Sequence, residues 1–304
     1  MGETAAARGL GPRDLALALV VCLAWAGSFL FAAFALRELP PLLFAGLRLA
    51  LLAVAVAPWI RLPARGQWRA LLALGAFNGA LNFGLSMASL KLSAGLSAPV
   101  IAQQCYVPIA ALLAWWLLGE RFGWRTGGGI ALSFAGVLVL GFDPAVLQAP
   151  LALVLMLASA CAIALGTIAM RRLQGVGALN AQGWTAVIGV APLLLASALF
   201  EPDAMAAMRA ASWVAWSGVA YSALVSSLFG YGLFYVLVQR HPVAQVTPYM
   251  LLSPVMAVLL GIVFWGDRPG PALWIGGAMV LGGVLVIALR ALTRQRPAPS
   301  PEPV

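Results

Sequence analysis

The chain has 304 residues, of which 63% are hydrophobic and only 9% charged, with a formal net charge of +9. A soluble domain carries about a quarter charged residues and must cover its surface with polar groups, so this composition excludes a water-soluble globule. The solvent it implies is a bilayer, and the positive balance then reads as Lys and Arg facing the cytoplasm rather than as a nucleic-acid footprint.

In chain order, the first 13 residues form a short basic segment with Arg8 and Arg13. The apolar run 15–36 that follows has 22 residues. A helix of that length spans a hydrocarbon core of ~30 Å, and no small-residue cleavage site follows it, so it is expected to be a retained first helix. Further runs of spanning length lie at 42–60, 68–90, 94–118, 125–142, 150–170, 181–200, 212–238, 243–265 and 271–289. Backbone polar groups have no water to bond in lipid, so runs of this length predict helices, whereas a barrel would show short alternating segments. The expected fold class is an all-α integral membrane protein of ten transmembrane helices. The Pro-rich end, 292–304, reads as a disordered cytoplasmic tail.

A cytoplasmic N-terminus puts Arg8, Arg13, Arg61, Arg65, Arg69, Arg121, Arg125, Arg171, Arg172, Arg240, Arg290, Arg294 and Arg296 on the cytoplasmic side. Only Arg37, Lys91, Arg209 and Arg268 face the other side, and Arg48 lies within a helix. The bias supports N-in/C-in topology and an even number of crossings.

One phrase is written twice. Gly119-Glu120-Arg121 and Gly266-Asp267-Arg268 each precede a glycine-spotted apolar run, and Gly129 and Gly136 recur at the same offset as Gly276 and Gly283. An odd number of helices per unit turns the second unit upside down. The expectation is two inverted five-helix repeats, 14–142 and 143–291, the plan of many alternating-access transporters.

The segments LPPLLFAGLRLALLA (39–53), LLGERFGWRTGGGIALSFAGVLVL (117–140) and SPVMAVLLGIVFWGDRP (253–269) resemble the EamA-type drug/metabolite transporters, and two such units cover 14–290. The nearest similarity is to bacterial exporters of cysteine and O-acetylserine. The resemblance implies ten helices, N-in/C-in topology in the inner membrane, and export of amino acids or related metabolites. The second triplet departs from the family's usual Gly-Glu-Arg by carrying Asp267.

Prolines mark the fourth and ninth helices: Pro99 and Pro108 in one, Pro248 and Pro254 in the other. Interrupted helices at matching places in two halves point to a central site. Neutral polar groups collect on the same and neighbouring helices: Asn78 and Asn82, Gln103, Gln104 and Tyr106, Ser226, Ser227, Tyr231 and Tyr235, and Gln245, Thr247 and Tyr249. Amides and phenols both donate and accept, which suits a zwitterionic substrate. The competing role is interhelical bonding. Trp25, midway along the first helix, either walls a cavity or packs. Arg48 lies close to Glu38 and has a carboxylate-binding reading, but the resemblance places an arginine after Gly-Leu at this spot generally, which favours a structural role. Glu120 and Asp267 are read as beginning the helices that follow them and pairing with loop arginines.

No acid falls at mid-membrane depth, the only histidine is His241, and neither an HExxH pair nor a nucleotide-binding GxxxxGK[ST] loop is present. Enzyme chemistry, a metal, a cofactor and nucleic-acid binding are therefore not expected. The cysteines Cys22, Cys105 and Cys161 lie in apolar runs without CxxC spacing. The expected function is secondary transport of a small-molecule substrate across the bilayer, with multidrug export by the same fold as the alternative.

Overall fold

The computed structural model describes residues 10–173 and 175–294, and every regular element among them is a helix. The long helices are α1 (Pro12–Leu36), α2 (Pro41–Trp59), α3 (Trp68–Leu92), α4 (Ser97–Leu118), α5 (Trp124–Leu140), α6 (Pro150–Arg171), α7 (Ala178–Phe200), α8 (Trp213–Arg240), α9 (Gln245–Trp265) and α10 (Pro271–Arg294). Among the described residues, all of these except α5 are long and apolar enough to cross a hydrocarbon core. With 17 residues, α5 is shorter than the run expected for it and reaches about 25 Å, the lower edge of the spanning range. Large apolar side chains face outward, including Trp116, Trp124, Leu138, Phe200, Trp213 and Val263, each at least 70% exposed. That surface is stable only against lipid, and the chain is a multi-pass membrane protein.

Prolines start α1, α2 and α6, where the missing N–H costs no helical bond. The glycines of the repeated triplets end two helices. Gly119 after α4 has φ 68° and Gly266 after α9 has φ 84°, the left-handed C-cap that glycine adopts without strain. The acids that follow do not begin the next helix, because α5 starts only at Trp124 and α10 only at Pro271. At the C-terminus α10 continues to Arg294, past the expected start of the tail. Most of the expected N-terminal segment and the tail beyond Arg294 lie outside the described residues.

Four helices are irregular, and they match in pairs. In α4 the helical pieces Ser97–Gln103 and Tyr106–Leu118 are separated by a turn at Gln104 and Cys105. Pro108 accounts for it, since its ring removes the N–H that would bond Gln104 C=O. In α9 the helical piece that ends at Met250 and the piece Leu252–Leu260 meet at Leu251, and Pro254 stands to Met250 as Pro108 stands to Gln104. In α3 and α8 the departure is a π-helical stretch, Gly75–Leu81 in one and Tyr221–Gly230 in the other, and α9 ends in a shorter one, Gly261–Trp265, that α4 lacks. Such widened turns free backbone carbonyls and recur at functional sites.

The main helix contacts recur when the halves are exchanged. Helix α1 packs on α8 and α9, and its counterpart α6 packs on α3 and α4. Helix α2 packs along α7, and α5 along α10. The two self-paired contacts run antiparallel. A Cβ added at Gly136 would lie 2.6 Å from Gly276 O, and one at Gly276 would lie 2.6 Å from Gly136 O. Two turns away, a Cβ added at Gly129 would lie 2.9 Å from Gly283 O. Between these contacts Ser133 Oγ donates to Val280 O at 3.2 Å, a residue and its own image at the repeat offset. Small residues let these backbones touch where apolar attraction between helices is absent.

Substituting Gly136→Val forces apart two backbones that have no flexible atom to yield, at a cost of about 1–3 kcal/mol. The expected result is a melting temperature several degrees lower in detergent, with Gly128→Ala unchanged because nothing lies near its added carbon.

Candidate functional site

The centre of the bundle gathers residues from α1, α2, α3, α4 and α8. Arg48, midway along α2 and 5% exposed, reaches between α3 and α8. Its guanidinium lies 4.2 Å over the Phe83 ring and donates through one terminal nitrogen to Ser227 Oγ at 3.0 Å. Ser227 in turn donates to Ser222 O at 3.0 Å, a five-residue bond that belongs to the π-helical stretch. The carbonyl of Ser227 accepts from Gln182 Nε2 of α7. Arg48 Nε is buried and has no partner. This differs from the expected position beside Glu38, which is occupied instead by Ser212, whose N and Oγ both donate at 2.6 Å.

One helical turn along α8 from Ser227, the Trp25 ring packs 5.1 Å from Tyr231 and 5.6 Å from Phe234. Its indole lies on the α8 backbone, since a Cβ at Gly230 would be 2.9 Å from Trp25 Nε1. That Nε1 is also buried without a partner. Tyr231 is 47% exposed, and Tyr106 of α4 is half-buried.

The other expected residues divide. Gln103 and Gln104, both half-buried, sit at the break in α4. Tyr235 is half-buried one turn beyond Tyr231. Tyr249 packs with Trp25, Leu233 and Phe234 around Val21 and Leu237, and its carbonyl accepts from Cys22 Sγ at 3.4 Å. Asn82 bonds within α3 and across to α6: Nδ2 donates to Asn78 O at 3.3 Å and Oδ1 accepts from Ser159 Oγ of α6 at 2.8 Å. Asn78 abuts Gly166 of α6, and its Oδ1 is buried without a partner. These two asparagines thus lie in the seam between α3 and α6. Pro99 and Pro248 stand within the first helical pieces of α4 and α9. Phe83 and Gln182 were not foreseen, because nothing in the spacing of either residue marks it as a neighbour of α2 or α8.

The two ends of the bundle differ. At one end Asp267 accepts from Leu96 N at 3.0 Å, Ser97 N at 2.8 Å and Ser97 Oγ at 2.6 Å, so the loop after α9 is fastened to the start of α4. The same end is tied by Glu201 to Leu42 N and Leu43 N, by Lys91 Nζ to Leu36 O, and by Arg37 over the Trp265 ring at 4.2 Å. A cavity of about 110 Å³ lies beside Asp267, Arg268 and Asp143. At the other end the counterpart Glu120 is bound to Arg171 at 2.5 Å, with both side chains about half exposed. The described acids Asp14, Glu38, Glu120, Asp143, Glu201, Asp203 and Asp267 all lie at helix ends or in connections. Among the described residues no group of three His, Cys, Asp or Glu is placed to hold a metal.

The geometry of Asn82 is testable. Ser159→Ala leaves a buried amide oxygen unpaired and is expected to cost about 1 kcal/mol, read as a melting temperature lower by a few degrees. An unchanged melting temperature would show that Asn82 does not depend on α6.

Comparison with known proteins agrees with this architecture. The chain is 27% identical to a probable amino-acid metabolite efflux pump of Escherichia coli strain K12, over 90% of this chain and 94% of that one. It is 29% identical to the protein of the same description in Salmonella typhimurium, over 91% and 93%. A solved crystal structure at 21% identity superposes with a TM-score of 0.61 over 93% of this chain and 99% of the other, which shows the fold. The profile of the EamA-like transporter family matches twice, at residues 13–142 and 150–289, and the chain belongs to that family.

Proposed function

We propose that the protein is a secondary transporter that exports amino acids or related small metabolites across the inner membrane by alternating access. On this reading ten helices cross the bilayer as two five-helix repeats of inverted topology, 14–142 and 143–291, with both termini in the cytoplasm. The observation that carries the proposal is the packing that survives exchange of the halves while the ends differ. One end is fastened by Asp267 on the start of α4, and its counterpart Glu120 is held by Arg171. Two equivalent halves with unequal ends are what a carrier has when it faces one side. Proline breaks in α4 and α9 and widened turns in α3 and α8 supply bending points around the central space.

The substrate class follows from the lining and from the relatives. Both relatives bear names that specify amino-acid metabolites. Trp25, Gln103, Gln104, Tyr106, Tyr231, Tyr235 and Tyr249 supply aromatic faces and neutral polar groups, and Asn78 and Asn82 hold α3 to α6 beside them. The aromatic lining also fits multidrug export, but a lipophilic cation finds no acid at the centre to meet it.

In cells lacking the protein, its expression is expected to accelerate efflux of at least one neutral amino acid. Asp267→Ala removes the three contacts that hold the loop after α9 to the start of α4 and is expected to slow that efflux several-fold with the protein still in the membrane. Unchanged efflux of every amino acid tested would remove the proposal, and accelerated efflux of lipophilic cations alone would replace it with multidrug export.

A further inference from the structure

Arg48 is an unusual residue to bury. A guanidinium carries its charge at any physiological pH and presents five N–H donors. Taking it out of water is costly unless a carboxylate or a full set of acceptors receives it. Here it receives one hydroxyl oxygen, Ser227 Oγ, and the face of Phe83. No carboxylate bonds it, and Nε has no acceptor. A purely structural arginine would be expected to have both.

Three further observations give the bare donor a purpose. Trp25 Nε1, one turn along α8, is a second buried donor without a partner, so two unsatisfied N–H groups flank the same short stretch, Ser227 to Tyr231. Tyr231, against the Trp25 ring on that stretch, is 47% exposed. The arginine is also not duplicated. The corresponding stretch of α7, Leu193 to Leu195, is entirely leucine. A contact required by the packing of α2 on α7 would be expected in both halves, whereas a ligand contact in an asymmetric substrate needs only one.

We propose that Arg48 is the receptor for the substrate's carboxylate, with the Trp25 indole N–H as its second donor, and that the transporter selects its substrates by this carboxylate and not by the amine. This rests on the amino-acid reading above and narrows it. An arginine fork matches the two oxygens of a carboxylate, and the contact is strong because both partners are shielded from water. The described acids lie at the ends of the bundle, so no carboxylate among them pairs with an ammonium group at the centre. The substrate class is therefore small monocarboxylates: free amino acids and equally their N-acylated forms, with esters, amides and simple amines excluded.

The test is binding to the purified full-length chain in lipid nanodiscs, measured by calorimetry. The probes are L-cysteine, O-acetyl-L-serine, L-leucine and L-phenylalanine, each as the free acid, the methyl ester and the N-acetyl acid. For those acids that bind, the ester is expected to bind about 100-fold more weakly and the N-acetyl acid within a few-fold of the parent. Arg48→Met is expected to lose the free acid by a similar factor while melting at the same or a higher temperature, since it removes a buried charge with no acid partner. Arg48→Lys, which keeps the charge without the fork, is expected to fall between them. Esters that bind as well as acids, or an Arg48→Met protein that keeps its affinity, would overturn the assignment and leave the amino-acid reading standing. An Arg48→Met protein that melts well below the parent would show the arginine to be structural and would also overturn it. If no free acid, ester or N-acetyl acid binds, the amino-acid reading itself fails, and the assignment with it.

Discussion

The constraint on which this structure depends is that a backbone surrounded by hydrocarbon must satisfy its own hydrogen bonds. It makes every regular element a helix, and it makes each departure from a helix informative. The departures here include the turn at Gln104 and Cys105, its partner at Leu251, the π-helical stretches of α3 and α8, and a further one, Gly261–Trp265, at the end of α9. Those of α3 and α8 sit in the interior, where other side chains reach the freed carbonyls. Gln182 takes Ser227 O, and Ser159 takes Asn82 O. The same irregularities that loosen the helices therefore bring polar groups to the centre of an otherwise apolar bundle.

The exchange of halves sets what is shared and what is not. Packing is shared: α5 on α10 and α2 along α7 are self-paired, and the glycines that allow the first contact occupy the same places in each half. Charge is not shared. Asp267 fastens α4 while Glu120 meets Arg171, and Arg48 has only leucines opposite it. The symmetric contacts form a scaffold common to both halves, and the charged contacts distinguish its two ends.

Much of the architecture was legible in the sequence because hydropathy, proline and glycine act locally. Apolar runs give the helices, Pro108 and Pro254 give the breaks, and Gly119 and Gly266 give the caps. The π-helical stretches were not foreseen, although Ser222 and Ser227 carry the five-residue spacing that such a turn uses. Partners remote in sequence were not legible at all. Asp267 bonds Ser97 across 170 residues, and Asn82 bonds Ser159 across 77, and no local pattern announces either pairing. Arg48 was placed with Glu38 on nearness in sequence, whereas Ser227, 179 residues away, is its partner.

The central claim is that the two halves exchange roles about a fixed centre, so that one end opens as the other closes. Paired spin labels in a chain with its three cysteines replaced measure this directly, one pair at Ala94 and Arg268 beside Asp267, the other at Arg121 and Gln239 at the Glu120 end. Distances taken in nanodiscs, with and without an exported amino acid, are predicted to change in opposite directions at the two ends. Distances that stay fixed, or that lengthen together, would contradict the account.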